Sequence, residues 1–139
     1  MIYQRLICKR IEFLTKLSYA AMLVLLACFS SLSFAQNLET GQNLFKTYCE
    51  SCHGPNGDGN GPAAVDFVLK PRDFALAAYK FDTDANWERG TDKDLADVIS
   101  QGPAAFGGSP LMPAWRQFTQ DELDLLVDYI RTLEKSPRQ

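Results

Sequence analysis

Five consecutive residues, Cys49-Glu50-Ser51-Cys52-His53, hold the densest chemistry in the chain, and His53 is its only histidine. C-x-x-C-H is the attachment pattern of c-type haem: the two thiols add across the vinyl groups as thioethers, and the neighbouring imidazole becomes an axial ligand to the iron. The spacing serves this purpose. Two Cys three apart on a helical turn offer their sulfurs to one edge of a porphyrin, and the next side chain can reach over the metal. A zinc site would need about two further Cys or His ligands, which residues 36–139 do not contain. A thioredoxin-type pair would have no use for His53 and belongs in a βαβ pattern, which is missing here.

The residues that precede this motif read as a leader. Arg5, Lys9, Arg10 and Lys16 form a basic stretch, Leu17 to Phe29 is apolar apart from Ser18, and Ser33-Phe34-Ala35 supplies small residues for a signal peptidase. Residues 1–35 are therefore expected to be a signal peptide and 36–139 the mature domain, exported to the periplasm. Leu25-Leu26-Ala27-Cys28 also resembles a lipoprotein box. Membrane attachment is expected only if Cys28 is lipidated or the leader stays uncleaved; removal of Cys28 with the leader is the favoured outcome.

Of the chain's 14 basic and 17 acidic residues, four and one fall in residues 1–35, which leaves 10 and 16 and a formal charge of −6. That balance argues against nucleic acid and for a protein partner that docks through a basic patch or apolar contact. Cys49 and Cys52 are the only cysteines after the leader. A single small domain of this length has a thin core, to which a large apolar cofactor would contribute buried surface. A monomer is expected.

Met1 and Met22 lie in the leader, so Met112 is the one methionine in the mature domain. With no second histidine, it is the candidate sixth ligand. Gly107-Gly108-Ser109-Pro110-Leu111-Met112-Pro113 is a proline-stiffened loop suited to holding a thioether. His/Met ligation raises the reduction potential and fills both axial positions, which suits electron transfer. Lys70 and Lys80 are the next candidates should Met112 not serve.

The elements that must position these groups are helical. Asn37 is expected to cap a helix over about 38–48, with Leu38, Gly41, Leu44, Phe45 and Tyr48 on one face. Thr91 caps a second over about 92–101, with Leu95, Val98 and Ile99 inward and Gly102 as the stop. Thr119 and Glu122 form a capping box for a third, whose stripe is Leu123, Leu126, Val127, Ile130 and Leu133, ending before Pro137. A further short helix is expected between Asp66 and Tyr79, interrupted at Pro71. The fold class is all-α, three main helices plus long loops. Loops this long suit a chain wrapped on a planar cofactor, and the Gly-rich run 54–62 lets backbone pass close to it. Asn56, Asp58, Asn60 and Gly61 imitate the start of a calcium loop, but Phe67 occupies the position of its bidentate Glu.

Taken together, Gly41 and Phe45, the Cys49–Gly54 segment, Gly61-Pro62, Met112-Pro113 and Tyr129 resemble the class I cytochrome c family in its bacterial monohaem form, over nearly the whole mature chain. The resemblance implies one covalent haem c and closely crossing first and last helices, with Gly41 permitting the approach and Phe45 and Tyr129 packed at the crossing. It also implies that the Pro62 carbonyl accepts a hydrogen bond from His53. Pro71-Arg72-Asp73-Phe74 and Tyr79-Lys80-Phe81 look like a subgroup with an extended loop, in which Arg72 would pair with a haem propionate. The stretch Asp82 to Arg89 departs from the family pattern.

The expected function is a one-electron carrier between periplasmic redox proteins, not an enzyme. Two alternatives stand beside it: a stably bound cytochrome subunit of an oxidoreductase complex, and a haem peroxidase or gas-binding protein. Trp115 and Phe118 are expected to pack against the distal side. Asp121, Glu122, Asp124 and Asp128 are expected to form a solvated face of the last helix.

Overall fold

The structure, a computed structural model, describes residues 36–135. The expected leader, Cys28, the cleavage point before Gln36, and Pro137 lie outside or at the edge of those residues.

Four α-helices and three short 3-10 turns make up the described chain, and no strand occurs among the described residues. The first helix, α1, covers 36–48. Asn37 lies inside it and does not cap it. A brief α2, Glu50–His53, carries the Cys-x-x-Cys-His motif, with Cys49 at its N-cap and Gly54 at its C-cap. Then come 3-10 turns at Pro62–Ala64 and Phe74–Leu76. In the stretch 66–79, where the sequence predicts a short helix interrupted at Pro71, only this second 3-10 turn forms, capped by the Asp73 carboxylate on the Ala75 amide at 2.9 Å.

Helix α3, Asp92–Gln101, begins at a capping box in which Thr91 and Asp94 satisfy each other's backbone amides, and ends at Gly102 with φ 79°. A third 3-10 turn, Pro103–Phe106, follows directly. Helix α4, Gln120–Thr132, begins at the Thr119/Glu122 capping box. Each reciprocal cap satisfies two amide donors that a helix start leaves open.

Leu95 and Ile99 of α3, Leu123, Leu126, Val127 and Ile130 of α4, and Phe45 of α1 form the buried core. Its tightest point is the crossing of α1 and α4. A methyl group at Gly41 would collide with the Leu125 carbonyl and lie 3.0 Å from the Tyr129 β-carbon, so only glycine allows this approach. Beside it the Phe45 ring meets Tyr129 at 5.3 Å and Phe74 at 6.2 Å. The crossing forms as the sequence implied, and no helix of the described residues is long and apolar enough to cross a membrane.

Candidate haem site

Between the Cys49–Phe74 segment, α3 and the loop after Phe106 lies a cavity of about 1000 Å³. Cys49 and Cys52 are at its edge as free, half-buried thiols. Burial, reinforced by the charge of Cys52, pushes the Cys49 thiol up to about 12. Cys49 is therefore a protonated thiol at neutral pH.

His53 is set into the wall at 8 % exposure. Its Nδ1–H donates to the Arg72 carbonyl at 3.3 Å, and its ring stacks on Phe74 at 4.8 Å and 14°. With the proton on Nδ1, the lone pair is on Nε2. Burial lowers the imidazole's pKa and outweighs the opposing hydrogen bond to Arg72, so the ring is neutral at pH 7.

That hydrogen bond corrects the expected role of Pro62. Pro62 is exposed, does not line the cavity, and starts a 3-10 turn, while the imidazole's Nδ1–H is bonded to Arg72. The reason is the path of the loop. Gly61 donates to the Cys52 carbonyl at 3.1 Å, folding residues 54–61 back on α2, and a side chain at Gly59 would collide with the Pro71 backbone. The chain segment that passes the imidazole is consequently 71–72. Phe74 donates to the Gly57 carbonyl at 2.8 Å and fixes that segment further.

Met112 is half-buried and lines the same cavity. Its loop is tied at the two ends, by Gly108 N–H to the Pro103 carbonyl at 2.8 Å and by Trp115 N–H to the Ile99 carbonyl at 3.0 Å. Helices α3 and α4 add Leu95, Val98, Ile99 and Ile130 to the walls, beside the Asp94 carboxylate. Lys70, Arg72 and Lys80 also line it. Lys70 is engaged locally, its ammonium donating to the carbonyls of Ala64 at 2.7 Å and Val65 at 2.9 Å.

These donors fit a haem. The lining is mostly hydrocarbon, as a porphyrin face requires, with two thiols at one edge, an imidazole lone pair and a thioether in the walls, and cations to match carboxylates. Cys49, Cys52, His53, Met112 and Arg72 thus line one cavity; Pro62 stands apart from it.

Sequence reasoning missed two supports. Asp94, 1 % exposed, accepts at Oδ1 from the Thr83 amide and hydroxyl (2.6 and 2.8 Å) and at Oδ2 from those of Thr91 (2.9 and 2.8 Å). Burial would raise its pKa, but the donors of Thr83 and Thr91 outweigh burial and hold it below the usual carboxylate range. Its carboxylate, with those of Asp82 and Asp84, forms an acidic cluster. The four donors to Asp94 account for it as a tie between loop and helix. Second, Arg131 donates to Asp92 and Glu134 and to the Gly90 carbonyl. It also lies 5.2 Å from the Tyr79 ring centroid, while the Tyr79 hydroxyl donates to Glu134 at 2.8 Å. Tyr79 and Gly90 line the cavity, so α4 braces its wall. Only the Thr91-x-x-Asp94 spacing hinted at either knot. Trp115 and Phe118, which the sequence predicts as packing on the distal side, pack on each other at 5.8 Å and each on Tyr48 at 5.1 Å, linking the loop after Met112 to the end of α1.

An all-helical domain with paired thiols, a neutral buried imidazole and a thioether around one apolar cavity is the architecture of a c-type cytochrome. Residues 36–130 match the family described as "Cytochrome C oxidase, cbb3-type, subunit III", and the chain belongs to that family of haem c domains. Among curated proteins none matches. A solved structure of the Kuenenia stuttgartiensis reducing HAO-like protein complex Kustc0457/Kustc0458 is similar at 31 % identity and a TM-score of 0.58. The match covers 73 % of this chain and 46 % of that one, so this chain spans about half the length of its structural relative.

Proposed function

We propose that this domain is a periplasmic one-electron carrier in which His53 and Met112 are the axial ligands of a haem held by Cys49 and Cys52. The observation that carries the reading is the placement of His53 and Met112 on the walls of one apolar cavity whose edge bears both thiols. When bound, the haem supplies a one-electron iron couple. The chain's own part is to hold that couple. The Arg72 carbonyl accepts a hydrogen bond from Nδ1–H and so leaves the Nε2 lone pair for the iron. Leu95, Ile99 and Ile130 line the cavity with hydrocarbon, and the thioether of Met112 would favour the reduced state of a haem held there. Arg72 is assigned to a haem propionate through its side chain, a role that adds to its carbonyl's hold on His53.

The test is the intact mass and spectrum of the exported protein. The expected result is a chain that starts near Gln36, carries one haem that survives acid–acetone extraction, and shows the weak far-red methionine–iron band when oxidised. Freely extractable haem would overturn the attachment, and a missing far-red band would overturn Met112.

The similarity to a component of a protein complex favours a second reading, a cytochrome that is stably bound to an oxidoreductase. Size exclusion of cell extract separates the two: a diffusing carrier elutes alone, a subunit with its enzyme. A chain retained in the membrane fraction would point instead to Cys28 as a lipid anchor or to an uncleaved leader.

A further inference from the structure

We propose that Asp94 sets the reduction potential of this electron carrier: its carboxylate is a fixed negative charge in the cavity wall that opposes the pull of Met112 toward the reduced state. The proposal rests on the reading of the cavity as a haem site and adds to it a residue that tunes the couple held there.

Asp94 is the third residue of α3, where it closes the capping box with Thr91. That duty requires neither burial nor two oxygens. Glu122 closes the matching box of α4 through Oε2 alone, from a half-buried position. Asp94 is instead 1 % exposed and lines the haem cavity. Its Oδ2 makes the cap, and its Oδ1 accepts from Thr83 in the loop before α3.

Nothing positive meets this carboxylate. Its donors are neutral amides and hydroxyls, and the ion pairs among the described residues join Lys93 to Asp97 and Arg131 to Asp92 and Glu134. The cations of the cavity lining, Lys70, Arg72 and Lys80, form no ion pair with it. Burial alone would raise its pKa, but the donors of Thr83 and Thr91 hold it below the usual carboxylate range, so it is ionised at neutral pH. Such hydrogen bonds stabilise the charge without cancelling it. The carboxylates of Asp82 and Asp84 lie with it, their oxygens and its own within 4.8 Å of one another, and they add to the same sign.

An electron that enters this cavity arrives beside that charge. Leu95, Val98 and Ile99 of the same helix surround it with hydrocarbon, where Coulomb repulsion is weakly screened. Reduction is therefore disfavoured. The loop wall raises the potential through a thioether and the α3 wall lowers it through a carboxylate, so the same two axial ligands work at a lower potential here than in a neutral wall.

The test is a spectroelectrochemical titration of the haem-loaded protein and three variants, in buffer with EDTA so that no divalent cation neutralises the carboxylates. In Asp94→Asn the ratio of reduced to oxidised protein at a fixed applied potential should rise on the order of tenfold, which is about 59 mV for a one-electron couple. Thr83→Val loosens the same tie between loop and helix but keeps the charge. It should lower unfolding stability and leave the potential in place. An unmoved potential in Asp94→Asn would overturn the proposal, and so would equal shifts in the two variants, because the wall's position and not its charge would then be at work. If Asp94→Asn yields no holoprotein, Asp84→Lys carries the test, since Asp84 is exposed and the substitution sets an ammonium beside Asp94. The same ratio should then rise about threefold, and no rise would overturn the proposal. The wild-type far-red band is recorded first. Its absence would count against Met112 as a ligand, while the Asp94 shift is read from the titration either way.

Discussion

His53 and Met112 stand on walls of one cavity, yet the chain holds them by different means. The His53 side is knit by the backbone. Gly59 donates to the His53 carbonyl at 2.8 Å, Gly61 to that of Cys52, and Phe74 to that of Gly57, while the ring itself is bonded to Arg72 and stacked on Phe74. The Met112 side relies on covalent stiffness. Pro110 and Pro113 fix φ and offer no amide donor. The loop's ties lie at its ends, and the bond inside it, from the Leu111 amide to the Ser109 hydroxyl at 3.2 Å, is exposed. One side chain is placed by a network and the other by a proline-stiffened loop, so changes on the two sides should have unlike consequences.

The largest effect should come from His53→Ala, which removes the group at the centre of the network. Mature holoprotein should fall to a small fraction of wild type, measured by haem stain against total protein. Gly61→Ala leaves every ligand in place but sets a methyl group 2.7 Å from the Cys52 carbonyl oxygen. It should cost about 3 kcal/mol in denaturant unfolding of the holoprotein. A cost near zero would show that the loop can give way and that the network is not rigid.

Met112→Ala should be milder for folding, about 1–2 kcal/mol, because the side chain is only half-buried. Its mark should be electronic: loss of the far-red band, a lower potential and carbon monoxide binding to the reduced protein. Retention of band and potential would remove Met112 from the iron, and Lys80 would be the next residue to change.

An acid titration tests Asp94, which lines the cavity from α3. The Asp94 pKa is depressed in the folded state, so its contribution is present above the ordinary carboxylate pKa and is lost as pH falls through the folded value. Unfolding free energy should therefore decline on the acid side, with a shallower decline in Asp94→Asn. The smallest effect should be that of Ser109→Ala, about 0.5 kcal/mol, since its hydrogen bond is exposed.

Helices α3 and α4 could be read from the sequence because their signals are local: a Thr with an acidic residue three positions on, then an apolar stripe of helical period. The residues that line the cavity with haem-binding chemistry were legible because the chain offers one histidine and, after residue 35, one methionine and two cysteines. What could not be read was the pairing of loops. Whether Pro62 or Arg72 meets His53 depends on how residues 54–61 fold back and where 71–72 passes, which the Gly-rich composition permits but does not dictate. Asn37 was misplaced because a lone cap residue, without a reciprocal partner, fixes a helix start weakly. The knots at Asp94 and Arg131 join residues that are local on one side and distant on the other, and spacing carries no mark of the distant half.

Arg131 also sets an order of events. Its guanidinium reaches back 39 residues to Asp92 and 41 to Gly90, and the Tyr79 hydroxyl reaches forward 55 to Glu134. During synthesis the wall formed by Tyr79 and Gly90 has no brace until the last helical turn has arrived. A chain stalled or cut before residue 131 would display its Cys-x-x-Cys-His segment with that wall unsecured. The attachment machinery would thus meet an open cleft, and arrival of the C-terminal turn would close the domain around what had been installed.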